Sequence, residues 1–278
     1  MRNRSENQIE TRTGTRTGKQ TEIRLTLIRH GATLSNKEGR YLGKTDESLS
    51  PEGIGMLEKY VADGNYPTAD ILFSGPMKRC QETAQILYPG QNPILIPEWT
   101  EMDFGAFEGH NYKELSGDPK YQRWIDSGGT LPFPGGESRE DFIRRSVTGC
   151  EKMLYYIKTI LERGAVFGQN YRNKGWGEPE LEERDESEMQ NAGISNVLIK
   201  NTEMKNTDIR SVSAVVHGGT IMALLSHFLG GEYFDYQVKC GQGYSGRLIF
   251  PADGGAPEWK EFCPLSELRL SELTEGEI

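Results

Sequence analysis

Ile23-Arg24-Leu25-Thr26-Leu27-Ile28 runs without a break into Arg29-His30-Gly31, and Val212-Ser213-Ala214-Val215-Val216 runs into His217-Gly218-Gly219-Thr220. Each is a short, mostly apolar run rich in β-branched residues and closed by glycine, which reads as a buried strand. Between them, Ser50-Pro51-Glu52-Gly53 places a capping serine before a proline and opens a helix towards Ala62. Asp70 to Ser74 reads as a second strand, and Gly75-Pro76 opens a helix to Leu87. Ile94-Leu95-Ile96 is a further apolar run, and the mixed segment from Tyr112 to Pro134 holds short helices. Ser138 caps a long helix with Phe142, Val147, Met153, Leu154, Ile157 and Leu161 at helical spacing. A helix over Thr220 to Leu229 and late strands at Leu248–Phe250 and Trp259–Phe262 complete the pattern. Strands alternating with helices predict an α/β three-layer sandwich: a largely parallel central sheet with helices on both faces.

The same reading predicts a flexible polar tail over residues 1–22, a domain over 23–265 and a short tail over 266–278. The domain carries a polar insertion at about 168–210 that contains the acidic run Glu178-Pro179-Glu180-Leu181-Glu182-Glu183-Arg184-Asp185-Glu186. Such a run buries too little apolar area to repay its ordering and reads as a solvated surface segment.

Composition narrows the partners. The 278 residues are 35% hydrophobic and 26% charged, which is ordinary for a globular chain and excludes collagen and coiled coil. No apolar run approaches the ~20 residues that span a bilayer, so no membrane partner is expected. The net charge of −9 argues against nucleic acid, which needs a basic face. The first twenty-odd residues lack the apolar core of a secretory signal. The cysteines at 80, 150, 240 and 263 form no CxxC pair, so they read as reduced thiols in a cytoplasmic protein rather than as zinc ligands.

The chemistry sits at the predicted strand ends, where ligands collect in open α/β sheets. His30 and His217 follow two strands; Arg79 lies one turn into the helix after a third, and Glu101 follows the apolar run at Ile94. Arg29 and Arg79 are guanidinium forks that match phosphate oxygens. Glycines beside both histidines allow close approach of backbone N–H groups to an anion, and a helix N-terminus favours negative charge. A neutral imidazole can attack phosphorus and a nearby carboxylic acid can protonate the leaving oxygen. The set points to phosphoryl transfer through a phosphohistidine, with cationic side chains where kinases use metal.

Leu27-Ile28-Arg29-His30-Gly31-Ala32-Thr33-Leu34-Ser35-Asn36, Phe73-Ser74-Gly75-Pro76-Met77-Lys78-Arg79-Cys80-Gln81-Glu82-Thr83-Ala84, Glu101 to Gly109, Pro134-Gly135-Gly136-Glu137-Ser138 and His217-Gly218-Gly219 together resemble the histidine phosphatase superfamily, which includes phosphoglycerate mutases. The resemblance implies His30 as phosphorylated nucleophile, Arg29, Arg79 and His217 as ligands of the phosphoryl oxygens, and Glu101 as proton donor and then base for water. It implies further substrate contacts at Gly31, Asn36, Gly43 and Gly218, a structural role for Glu108, no metal and no cofactor. Ala32 stands where many relatives carry Glu. Thr100-Glu101-Met102-Asp103-Phe104-Gly105 followed by Phe107-Glu108-Gly109 is similar to the phosphatase branch rather than to the mutases.

The leading expectation is therefore a metal-independent phosphomonoesterase acting on a small phosphate ester. The stretch Phe133 to Ser138 is similar to α-ribazole phosphatases of cobalamin synthesis and suggests α-ribazole 5′-phosphate. A phosphoglycerate mutase and a non-catalytic phosphate-ester-binding protein remain as alternatives. Tyr112, Tyr121, Trp124 and Phe133 are candidates to form an aromatic pocket mouth, with burial in a small core as the competing reading.

Overall fold

Backbone register brings the two decisive stretches side by side. In the computed structural model, which describes residues 20–173 and 209–268, β1 (Thr21–Arg29) and β4 (Ser211–Val216) pair in parallel, with Arg29 opposite Val216. The remaining strands are β2 (Ile71–Ser74), β3 (Ile94–Leu95), β5 (Gly243–Phe250) and β6 (Glu258–Pro264). They form one sheet in the order β3-β2-β4-β1-β5-β6. β3, β2, β4 and β1 pair in parallel, whereas β5 is antiparallel to both β1 and β6. The sheet is thus mostly parallel, with an antiparallel edge.

Helices α1 (Leu34–Lys37), α2 (Pro51–Ala62), α3 (Lys78–Leu87), α4 (Pro119–Asp126), α5 (Arg139–Asn173) and α6 (Gly218–Leu229) surround it. Strand alternation divides the core. Leu25, Leu27, Phe73, Ala214 and Val216 face one side, packed against Met153 and Ile157 of α5 and Leu224 of α6. Ile28, Leu72 and Val215 face the other side, against Leu57 of α2 and Ala84 of α3. Each fully buried aliphatic side chain contributes roughly 1.5–3 kcal/mol of transfer free energy. This is the expected three-layer sandwich.

The caps follow the sequence logic. Ser50 Oγ accepts from the Gly53 N–H at 3.0 Å to start α2, and Ser138 Oγ accepts from the Asp141 N–H at 3.0 Å to start α5. Gly149 is unfavourable inside α5, by about 1 kcal/mol against Ala, but a Cβ there would sit 2.7 Å from Trp99 Nε1. Its absence lets the fully buried Trp99 donate to the Ser146 carbonyl at 3.1 Å, which ties the segment before Glu101 to α5.

Several boundaries differ from expectation. β1 begins at Thr21, inside the tail expected over 1–22, because Thr21 and Glu22 pair with Phe250 and Ile249. α3 starts at Lys78 and not at Gly75, whose N–H still donates to the Val215 carbonyl at 2.9 Å. α6 starts at Gly218, two residues before Thr220, with His217 as its extended N-cap. Leu268 packs on the core of the α2–α3 side, so the fold continues past residue 265. Of the insertion expected at 168–210, residues 168–173 continue α5 and Ile209 is buried in the core; 174–208, with the acidic run, lie outside the described residues. No helix among the described residues is long and apolar enough to cross a membrane. All four cysteines are free thiols.

Candidate active site

Because β1 and β4 are parallel neighbours in the middle of the sheet, the residues after them emerge together at the carboxyl ends of the strands. The rings of His30 and His217 meet edge to face with centroids 5.1 Å apart. On the far side of β4, β2 leads to α3, which delivers Arg79 into the same place, fully buried.

The two arginines are under-used as donors. A guanidinium has five N–H groups. Arg79 commits one Nη1 bond to the Thr45 carbonyl (2.8 Å) and one Nη2 bond to the Gly43 carbonyl (2.9 Å), and its buried Nε has no partner. Arg29 commits Nη1 to the Val238 carbonyl at 2.8 Å, and its Nε is likewise buried and unpartnered. Neither pairs with a carboxylate among the described residues. Buried cations without counter-charge are costly to hold; a site built this way is complemented by an anion that accepts several hydrogen bonds.

His30 is almost wholly buried, and its Nδ1 lies 2.7 Å from the Gly31 carbonyl. A carbonyl only accepts, so Nδ1 carries the proton and Nε2 keeps its lone pair. Burial holds its pKa well below the ordinary histidine range, helped by the charges of Arg79 and Arg29. His30 is therefore neutral near pH 7, as a nucleophile must be. His217 is also held neutral, by burial first and then by His30 and the arginines.

Glu101 Oε2 lies 3.8 Å from His217 Nδ1. The distance alone would allow an ion pair. The shifts run against it, because burial raises the Glu101 carboxyl while it lowers His217. Glu101 Oε1 accepts from the Met102 N–H at 2.9 Å. A Cβ at Gly219 would lie 2.7 Å from Oε1, so glycine there makes room for the acid. Aimed at the histidine pair, Glu101 in its acid form, which burial favours, can give a proton to an oxygen leaving phosphorus.

The expected contact residues divide. Gly218 opens α6, where the first N–H groups have no intrahelical acceptor, and a Cβ there would come within 3.3 Å of the Arg29 side chain. Asn36 lines a cavity of about 550 Å³ beside Arg29, but its Oδ1 accepts from the Thr33 N–H at 3.1 Å in a capping box, leaving only its NH₂ for a ligand. Gly31 and Gly43 are not available in the manner expected. The Gly31 N–H donates to Thr83 Oγ1 at 2.9 Å, and the Gly43 N–H donates to the Glu108 carboxylate at 2.9 and 3.0 Å. Both backbones instead hold candidate catalytic side chains, Gly31 by accepting from His30 and Gly43 by accepting from Arg79. Glu108 is structural, as expected, and also accepts from the Thr45 N–H at 3.0 Å.

Of the four aromatics expected at the mouth, only Tyr112 lines the cavity. Tyr121, Trp124 and Phe133 stack on one another and pack with Phe104, Phe107 and Leu115 in a separate core. Mutual burial of these rings exceeds what exposure at a rim could return. Tyr41, which joins that cluster, supplies the second aromatic wall of the cavity. Sequence reasoning also missed Arg145, which reaches the Glu101 loop from α5, and Cys80, whose Sγ lies 3.6 Å from His217 Nε2. Among the described residues no three His, Cys, Asp or Glu side chains converge as metal ligands would.

Residues 25–156 match the model of the histidine phosphatase superfamily, branch 1. Through that region the chain is similar to the histidine phosphatase superfamily. It is 31% identical over 150 residues to a bifunctional protein of Mycobacterium tuberculosis, covering 51% of this chain and 40% of that protein. It is 30% identical over 127 residues to the adenosylcobalamin/alpha-ribazole phosphatase of Escherichia coli, covering 44% and 63%. To phosphoserine phosphatase 1 of Hydrogenobacter thermophilus it is 29% identical over 120 residues, covering 42% and 57%. The chain thus spans between two fifths and two thirds of the length of these relatives. The alpha-ribazole phosphatase structure from Shigella flexneri shares the fold, with a TM-score of 0.54 at 19% identity over 86% of this chain and 95% of that chain.

Proposed function

We propose that this protein is a histidine phosphatase, a phosphomonoesterase that works without metal through a phosphoramidate (phosphohistidine) at His30. The observation that carries the reading is the pair of arginines whose donors are left unfilled around a neutral His30. The phosphoryl oxygens take the free N–H groups of Arg29 and Arg79 and the N-terminal turn of α6. Nε2 of His30 attacks phosphorus, and the P–O bond to the leaving group breaks as Glu101 gives up its proton. Glu101, now a carboxylate, takes a proton from water, which attacks phosphorus and returns His30 with inorganic phosphate. The cationic groups stabilise the charge that a metal ion stabilises in kinases.

For the leaving group, the cavity beside Arg29 with Tyr41 and Tyr112 on its wall suits a ring-bearing alcohol. Together with the similarity to α-ribazole phosphatases, this favours α-ribazole 5′-phosphate as substrate. The test is a panel of α-ribazole 5′-phosphate, phosphoserine and 3-phosphoglycerate, assayed in excess chelator, with phosphate release scored apart from isomerisation. Phosphate release that survives the chelator supports the reading. Efficient interconversion of phosphoglycerates would replace it with a mutase, and no turnover of any ester with a binding protein.

A further inference from the structure

Arg145 differs from the two arginines of the phosphate site in one respect: every donor it has is used. Nε donates to Glu137 Oε1 (2.7 Å), Nη1 to the carbonyls of Glu98 (2.7 Å) and Thr100 (2.8 Å), and Nη2 to the Glu101 carbonyl (3.0 Å) and Glu137 Oε2 (2.9 Å). The guanidinium also lies 4.7 Å over the Phe142 ring, one turn back on α5. Glu137 in turn meets the far side of the same loop: its N–H donates to the Asp103 carbonyl at 2.9 Å, and its carboxylate lies 3.4 Å from the Asp103 N–H.

The segment from Glu98 to Asp103 is therefore held on both sides of Glu101 by one bidentate pair. Among the described residues the Glu101 carboxyl has no hydrogen-bond donor other than the Met102 N–H, so its position follows the backbone that carries it. We infer that Arg145, fixed by Glu137, is a positioning residue for proton delivery by Glu101. The inference rests on the proposed role of Glu101 as acid. A lysine cannot replace Arg145, because one ammonium cannot fill three carbonyls and a planar carboxylate in this arrangement. A displacement of the carboxyl by even an ångström disturbs in-line proton transfer.

The pattern of loss distinguishes positioning from a general structural role. Protonation matters for an alkyl leaving group and little for an activated aryl one. Single-turnover phosphorylation is measured with an alkyl phosphate and with 4-nitrophenyl phosphate for the wild type, Glu101→Gln, Arg145→Lys and Glu137→Gln, with a thermal melt for each. Arg145→Lys is expected to lose on the order of 10²-fold with the alkyl ester and far less with the aryl ester, reproducing the pattern of Glu101→Gln; Glu137→Gln shifts in the same sense by less. Equal loss on both esters, or no loss in either variant while Glu101→Gln keeps its split, overturns the inference. Absence of a split in Glu101→Gln itself overturns the acid assignment, and the inference with it. If Arg145→Lys does not fold, Glu137→Gln decides alone.

Discussion

The Gly43 carbonyl accepts from Arg79 Nη2 at 2.9 Å while the Gly43 N–H donates to the Glu108 carboxylate. A single peptide segment thus passes the rigidity of an acidic side chain to the buried guanidinium of the proposed phosphate site. Arg79 is presented with its remaining donors free, and no rotamer search is needed when an anion arrives.

Replacing Gly43 tests this link. A Cβ there would lie 2.1 Å from the Met102 carbonyl oxygen, far inside van der Waals contact and against backbone that cannot swing away. Gly43→Ala is expected to cost about 2 kcal/mol or more in stability, read by denaturant unfolding. The surviving folded fraction is expected to show a raised KM for phosphate esters, because Arg79 moves with the segment. Unchanged stability and KM would show that the segment yields without consequence.

The unpaired charge of Arg79 predicts an unusual stability balance. Without an anion, this buried cation destabilises the fold, so Arg79→Met is expected to melt no lower than the wild type, despite the loss of two hydrogen bonds to carbonyls. Vanadate at 100 times its Kd is expected to stabilise the wild type by about 2.7 kcal/mol and Arg79→Met far less. Equal vanadate shifts in both proteins would remove Arg79 from the anion site.

Among the described residues, His30 is the one neutral imidazole beside both arginines whose Nδ1 is fixed as a donor and whose Nε2 is left free. His30→Ala is expected to abolish turnover and to leave no acid-labile phosphate on the protein after rapid quench with labelled ester. Retained turnover, or labelling at His217 in its place, would reverse the assignment.

The strand ends were legible because an apolar run that stops at a glycine is a local signal, and Arg29, His30, Gly218 and His217 fall within such runs. Their convergence followed from parallel pairing of β1 with β4. The roles of Gly31 and Gly43 were not legible. A glycine amide that can reach a phosphate can equally reach Thr83 or Glu108, and only the fold decides which acceptor wins. Arg145 was hidden for a related reason: it acts on carbonyls far away in sequence, and backbone acceptors leave no mark in the residue pattern. Trp124 and Phe133 were read as either rim or core, and mutual stacking placed them in the core.

The two shifted groups set the pH dependence. Burial raises Glu101 above the usual carboxylate range, so it keeps its proton as pH rises from 4.5 and loses it only at its raised pKa. The alkaline limb of kcat/KM for an alkyl ester is therefore expected to report Glu101 and to disappear from the residual alkyl-ester turnover of Glu101→Gln. His30, lowered well below 6.5, must be neutral to react, so its limb lies on the acidic side. The second ionisation of a phosphate monoester near pH 6 falls there as well, which makes the alkaline limb the diagnostic one. An alkaline limb that persists in Glu101→Gln would assign it to another group.

Tyr112 decides how the leaving group is read. It is 62% exposed, lines the cavity beside Arg29, and is the one aromatic there that does not also belong to the Trp124 core. Losing it removes a stacking surface without opening a void in the fold. Tyr112→Ala is therefore expected to leave the melting temperature within error. It is expected to raise KM for α-ribazole 5′-phosphate by about tenfold, the equivalent of the upper end of a single aromatic contact, while kcat/KM for phosphoserine and 3-phosphoglycerate changes little, because neither carries a ring. Wild-type kcat/KM is expected to be highest for α-ribazole 5′-phosphate, with phosphate as product. If Tyr112→Ala lowers kcat/KM equally for all three esters, the tyrosine serves the phosphate site and not the ring. If the wild type prefers phosphoserine and the variant behaves identically, the cavity selects on charge, through Arg29 and the exposed Lys239 on its wall, and the ring-bearing substrate is wrong while the chemistry at His30 stands.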